Sequence, residues 1–170
     1  DMDDLALRLH EAVENSRYKN RIQDNSENVS PLQEPVRVML VDDEAELLRS
    51  LKSALERRKM RVVTAESGEM ALNLLLKHEI DVVVLDVKMP GMGGLDVLAE
   101  IKRQYADIPV LLLTGHPTVD SALDGIKGGA AEYIMKPPDV EELSGKIREA
   151  YLRRQEILLQ KQMDRIKDIQ

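Results

Sequence analysis

Val82–Gly94 reads VVVLDVKMPGMGG: four aliphatic residues, an acid, and then a loop of Pro and Gly. A short run that is apolar at every position is the pattern of a strand buried on both faces, as in a parallel sheet. Similar runs stand on either side, at Val36–Val41, Arg61–Ala65, Val110–Leu113 and Tyr133–Met135. Helical spacing fills the gaps between them. Leu47, Leu48, Leu51 and Leu55 share one face, Met70, Leu74 and Leu75 a second, and Leu95, Leu98 and Ile101 a third. Strands alternating with helices predict an α/β fold with a doubly wound sheet.

Five strands fit the flavodoxin-like order 2-1-3-4-5, with helices on both faces and a switch point between strands one and three. The residues that end the strands are then the informative ones. Asp42 and Asp43 end the first (VMLVDDE), Asp86 the third, Thr114 the fourth (VLLLTGH) and Lys136 the fifth (YIMKPP). In a parallel sheet these ends share one edge, so three carboxylates, a hydroxyl and an ammonium converge. Carboxylates held so close raise one another's pKa unless a cation joins them. Oxygen ligands with room for water suit Mg²⁺. A metal-held carboxylate beside Lys and Thr is arranged for phosphoryl chemistry, with a carboxylate as the nucleophile, since no Ser, Cys or His is placed to serve.

At these residues the chain resembles the receiver domains of bacterial two-component response regulators. The resemblance runs from Val36 to about Leu152 and rests on VDDE, LDVKMPGMGG, LLTGH and YIMKPP in order. It implies that Asp86 accepts a phosphoryl group from a phosphohistidine on a sensor histidine kinase. Asp43, Asp86 and the backbone carbonyl of Lys88 would bind Mg²⁺, with Asp42 acting through water. Lys136 would pair with the phosphoryl oxygens, and its bond to Pro137 is expected to be cis. Thr114 would swing to the phosphoryl group and Tyr133 turn inward after it, changing the face formed by the fourth helix, fifth strand and fifth helix. Lys88 and His116 would tune the lifetime of the acyl phosphate; as bare sequence they are equally two solvated loop side chains. The implied role is that of a signalling domain assisting its own phosphorylation and dephosphorylation, not an enzyme.

Composition narrows the alternatives. The chain has no Cys, Trp or Phe, which excludes disulfides, thiolate metal sites and a Cys nucleophile. Three scattered histidines argue against a His-based zinc site. A net charge of −7 without a basic block, and only four tyrosines as aromatics, argue against direct nucleic-acid binding. No apolar run is long enough to span a membrane, and a cytoplasmic location is expected. A haloacid-dehalogenase-like phosphatase also uses a strand-end Asp, but it needs a second Asp two residues on, where Asp86-Val87-Lys88 supplies Lys. A non-phosphorylated pseudo-receiver acting as an adaptor or dimerisation module is the other alternative.

The flanks carry further expectations. Residues 22–35 (IQDNSENVSPLQEP) read as a linker. Asp1–Val13 (DMDDLALRLHEAV) aligns without a gap on Asp139–Tyr151 (DVEELSGKIREAY). Two amphipathic helices with acidic starts would look alike anyway; the sharper reading makes residues 1–21 the last helix of a preceding receiver in a tandem protein. Residues 153–170 extend the final helix, for a length of about 48 Å from Asp139 if helical throughout. Leu152, Leu159 and Ile166 recur every seven residues. That weak heptad fits a solvated helix or a dimerising coil, and a homodimer is expected through the terminal helices or the face of the fourth helix, fifth strand and fifth helix.

Overall fold

A computed structural model describes Arg8, residues 34–115 and residues 118–169. Apart from Arg8, the expected helix at 1–21 lies outside the described residues, as do the linker before residue 34 and His116. From Pro35 onward the order is β1 (Arg37–Val41), α1 (Ala45–Arg57), β2 (Arg61–Ala65), α2 (Gly68–Lys77), β3 (Val82–Asp86), α3 (Gly94–Gln104), β4 (Val110–Thr114), α4 (Val119–Lys127), β5 (Glu132–Met135) and α5 (Val140–Asp168). The sheet is parallel in the order β2-β1-β3-β4-β5. This is the flavodoxin-like arrangement expected from the sequence.

Alternation along the strands divides the core between the two faces. Val38, Leu40, Val82, Val84, Leu111 and Leu113 pack with Leu48, Leu51 and Leu55 of α1 and Leu143, Ile147 and Ala150 of α5. Met39, Val41, Val83, Leu85 and Leu112 face Ala71 and Leu75 of α2 and Val97, Leu98 and Ile101 of α3. Every residue of β3 and β4 is buried, hence the unbroken apolar runs Val82–Leu85 and Val110–Leu113. Two helix faces differ from expectation. In α2, Met70 points outward at 44% exposure, while Gly68, Ala71 and Leu75 are buried and Gly68 lies so close to Val97 of α3 that a Cβ would come within 2.5 Å of it. In α3, Val97 takes a core position and Leu95 is only partly buried.

α4 is held differently from the others. Gly125 is its one fully buried residue, while Val119, Leu123 and Ile126 are exposed. A Cβ on Gly125 would come within 2.5 Å of Leu112 Cδ1, so glycine lets the helix lie against the sheet. α5 is unbroken over 29 residues. Beyond its core stripe, Arg154 reaches Asp81 at 3.2 Å and Lys161 reaches Asp107 at 2.8 Å. Those acids precede β3 and β4, so the helix runs along the sheet edge opposite the strand ends singled out above. Ile147, Arg154 and Lys161 recur at seven-residue spacing on this inner side. Leu152, Leu159, Met163 and Ile166 lie nearly opposite on the helix and are all exposed.

Candidate phosphoacceptor site

Parallel strands deliver their carboxyl ends to one edge, and the crossover between β1 and β3 leaves a crevice there. Asp86 is the last residue of β3, and Asp42 and Asp43 follow β1 directly. Asp42 and Asp86 are buried, whereas Asp43 is exposed. One carboxylate oxygen from each lies within 4.8 Å of the other two. Lys136, just after β5, reaches across the group. Its Nζ lies 2.6 Å from Asp42 Oδ2, 3.2 Å from Glu44 Oε1 and 3.4 Å from Asp86 Oδ2. The Lys136 N–H donates to the Thr114 carbonyl at 2.7 Å, and the Lys136–Pro137 bond is cis as expected.

The electrostatics follow from burial and crowding. Burial, and then the neighbouring Asp42 charge, raise the Asp86 carboxyl to about 6, against the pull of Lys136 and the Lys88 N–H. Burial works to lower Lys136, but Asp42 foremost, with Asp86 and Glu44, outweighs it and raises the ammonium. Among the described residues, the single charge of Lys136 against Asp42, Asp43, Glu44 and Asp86 leaves negative charge uncompensated. The donor set is all oxygen and compact, which fits a hard divalent cation such as Mg²⁺.

Asp42, Asp43, Asp86 and Lys136 are therefore brought together as expected, with Thr114 buried at the end of the adjacent β4. The Lys88 N–H lies 3.3 Å from Asp86 Oδ1, and its side chain is exposed. Tyr133 is half-buried on the same sheet face as Leu112, its register partner, and its hydroxyl lies 2.8 Å from Ser121 Oγ in α4. Three participants were not singled out in the sequence. Glu44 is a partner of Lys136, and its N–H caps Asp42 Oδ1 at 2.9 Å. Ser121 carried no signal beyond its place three residues after Thr118, the spacing of a capping box. Gly94, read as part of a free loop, sits where a Cβ would be 2.1 Å from the Asp86 carbonyl oxygen.

A family model described as the response regulator receiver domain matches residues 38–148. The chain belongs to this family. It is 39% identical over 121 residues to the probable transcriptional regulatory protein TcrX of Mycobacterium tuberculosis, covering 71% of this chain and 51% of that protein. It is 38% identical over 120 residues to the response regulator MprA of Mycobacterium sp. (strain KMS), covering 71% and 52%. This receiver chain thus spans about half the length of these curated relatives. Among solved structures, a response regulator receiver domain protein from Clostridium thermocellum is 36% identical with a TM-score of 0.69, covering 72% of this chain and 98% of that one. The response regulator TrrA of Thermotoga maritima, in complex with Mg²⁺ and BeF, is 35% identical with a TM-score of 0.62, covering 68% and 98%. No helix among the described residues is long and apolar enough to cross a membrane.

Proposed function

We propose that this receiver accepts a phosphoryl group on Asp86 from a phosphohistidine of a sensor histidine kinase, in the cytoplasm. The observation that carries the reading is the convergence of the Asp42, Asp43 and Asp86 carboxylates within 4.8 Å of one another at one sheet edge, with Lys136 paired to Asp42 and Asp86. The ionised Asp86 oxygen attacks phosphorus in line, the P–N bond breaks, and its electron pair leaves with the kinase imidazole. Lys136 is placed to follow the charge onto the phosphoryl oxygens, and Thr114 supplies a hydroxyl at the next strand end. A Mg²⁺ ion held by Asp43, Asp86 and the Lys88 carbonyl, with Asp42 through water, would supply positive charge to those same oxygens. The chain is a phosphoacceptor and not an enzyme with a substrate of its own. Lys88 and His116, two residues along the sequence from Asp86 and Thr114, are candidates for setting the acyl-phosphate lifetime.

In this reading Thr114 and Tyr133 carry the signal to the α4-β5-α5 face, and output includes pairing of two copies. The outward stripe Leu152, Leu159, Met163 and Ile166 supports α5 as the contact, since ion pairs on the inner side hold it facing away from the sheet. The transcriptional role in the name of TcrX belongs to that longer protein. Incubation with acetyl phosphate and Mg²⁺ tests the central claim. A gain of one phosphoryl mass, absent in Asp86→Asn, is expected; no gain in the parent overturns it. Light scattering with and without beryllofluoride tests the pairing, which a monomer in both states would exclude.

A further inference from the structure

We propose that Ser121 is a positioning residue that holds Tyr133 in its resting orientation and transmits its movement to the start of α4. The inference rests on the switch reading just given and adds to it the residue that sets its bias.

The hydroxyl of Ser121 stands at a junction. Thr118 N-caps α4 in a capping box: the Ser121 N–H donates to Thr118 Oγ1 at 3.0 Å, and the Thr118 N–H donates to Ser121 Oγ at 3.1 Å. Ser121 Oγ also lies 3.1 Å from the Thr118 carbonyl and 2.8 Å from the Tyr133 hydroxyl. A serine hydroxyl has one proton and two lone pairs. With that proton on the Thr118 carbonyl, the lone pairs accept from the Thr118 N–H and the Tyr133 O–H. Thr118 Oγ1, 2.9 Å away, is the competing donor. Tyr133 thus completes the hydroxyl's capacity, and its departure returns that position to Thr118.

The rest of α4 makes this bond count. Among its residues only Gly125 is buried, and Val119, Leu123 and Ile126 give the helix no apolar anchor. The Ser121–Tyr133 contact joins the first turn of α4 to β5 directly. Tyr133 shares a sheet face with Thr114, because Tyr133 pairs with Leu112 and Thr114 lies two residues further along β4. A ring that follows Thr114 toward the phosphorylation site must give up Ser121. Resting position, phosphoryl group and helix start are therefore linked through one hydroxyl.

A half-exposed hydroxyl pair biases such an equilibrium modestly, so its loss should shift the resting population roughly threefold to tenfold. The test follows the Tyr133 ring resonances of the full chain by NMR, unliganded and with Mg²⁺ and beryllofluoride, in the parent, Ser121→Ala and Ser121→Thr. Beryllofluoride should move the Tyr133 signals in the parent. Ser121→Ala without beryllofluoride should displace them part-way along the same line and speed phosphorylation by acetyl phosphate about threefold or more. Ser121→Thr, which keeps the hydroxyl, should restore both. A Ser121→Ala protein whose melting temperature falls while its Tyr133 signals stay at the parent's resting position overturns the role of Ser121 and leaves the switch standing. Parent signals that ignore beryllofluoride overturn the switch, and this inference with it.

Discussion

Lys136 Nζ stands closer to Asp42 than to Asp86, at 2.6 Å against 3.4 Å, and both carboxylates are almost fully buried. This lysine therefore offsets part of the charge of the acidic cluster, and it does so chiefly at Asp42. Lys136→Met keeps the length of the side chain and removes its charge. Breaking a buried pair from one side costs about 3–5 kcal/mol, less here because Asp86 can respond by taking up a proton. The metal-free variant should lose about 2–4 kcal/mol in urea unfolding. Added Mg²⁺ should recover most of it; a loss that Mg²⁺ leaves untouched would mean the lysine acts by packing.

Asp86 makes the metal-free protein pH-sensitive in the direction opposite to most carboxylates. Its folded pKa of about 6 lies above the ordinary 3.8, because burial and Asp42 penalise the charge. Between those values the native state keeps a proton that the unfolded chain has released. Stability should then fall as pH rises from about 4 to about 6 and stay lower above. At about 1.4 kcal/mol per pKa unit the effect at neutral pH is of order 1–3 kcal/mol. Asp86→Asn should abolish this fall, and in EDTA at pH 7.5 it should be more stable than the parent by about that amount. Equal stabilities at pH 7.5 would show that the cluster's repulsion is relieved some other way.

Two glycines should respond oppositely to alanine. At Gly94 a Cβ meets the backbone of Asp86 and Val87 at 2.1 and 2.7 Å, and backbone cannot step aside cheaply. Gly94→Ala should destabilise by more than about 2 kcal/mol and displace Asp86, slowing phosphorylation. At Gly145, inside α5, a Cβ meets nothing within 4 Å. Gly145→Ala should stabilise by about 0.5–1 kcal/mol through helix propensity alone. Thermal unfolding of the pair separates close approach from backbone entropy.

The contrast between these glycines also shows what the sequence could carry. Sheet order and the strand-end acids were legible because burial on two faces writes itself as unbroken apolar runs, and parallel strands then send the next polar residue to one edge. Gly94 was not legible as a contact residue, since a glycine in Pro-Gly-Met-Gly-Gly looks the same whether it bends or is crowded. Met70 misled because helical spacing marks a stripe without saying which neighbours close over it, and here α3 comes nearest at Gly68. Ser121 and Glu44 act through partners 12 and 92 positions away, Tyr133 and Lys136, so local pattern could not reveal them.

The far end of α5 offers a last test, remote from the Asp86 cluster. Buried Asp81 accepts from the Arg37 N–H at 2.8 Å and Arg37 Nε at 3.2 Å, and Arg154 reaches it at 3.2 Å. Two turns further along, exposed Lys161 meets exposed Asp107. Losing an ion pair between exposed groups costs at most about 1 kcal/mol, while taking one partner from a buried acid costs more, even with Arg37 still paired to it. Arg154→Ala should therefore loosen the helix beyond residue 155 more than Lys161→Ala does, seen as lower ¹⁵N order parameters there, with acetyl phosphate reactivity unchanged. The Lys161 bond, first among the causes, lowers the Asp107 carboxyl below its ordinary range. That contribution is complete above about pH 4 and is lost as pH falls below it. In the parent, acidification should loosen residues 158–168, and Lys161→Ala should remove that response. An order-parameter profile that ignores both substitutions would mean the helix end stands by its own propensity, with neither acid holding it.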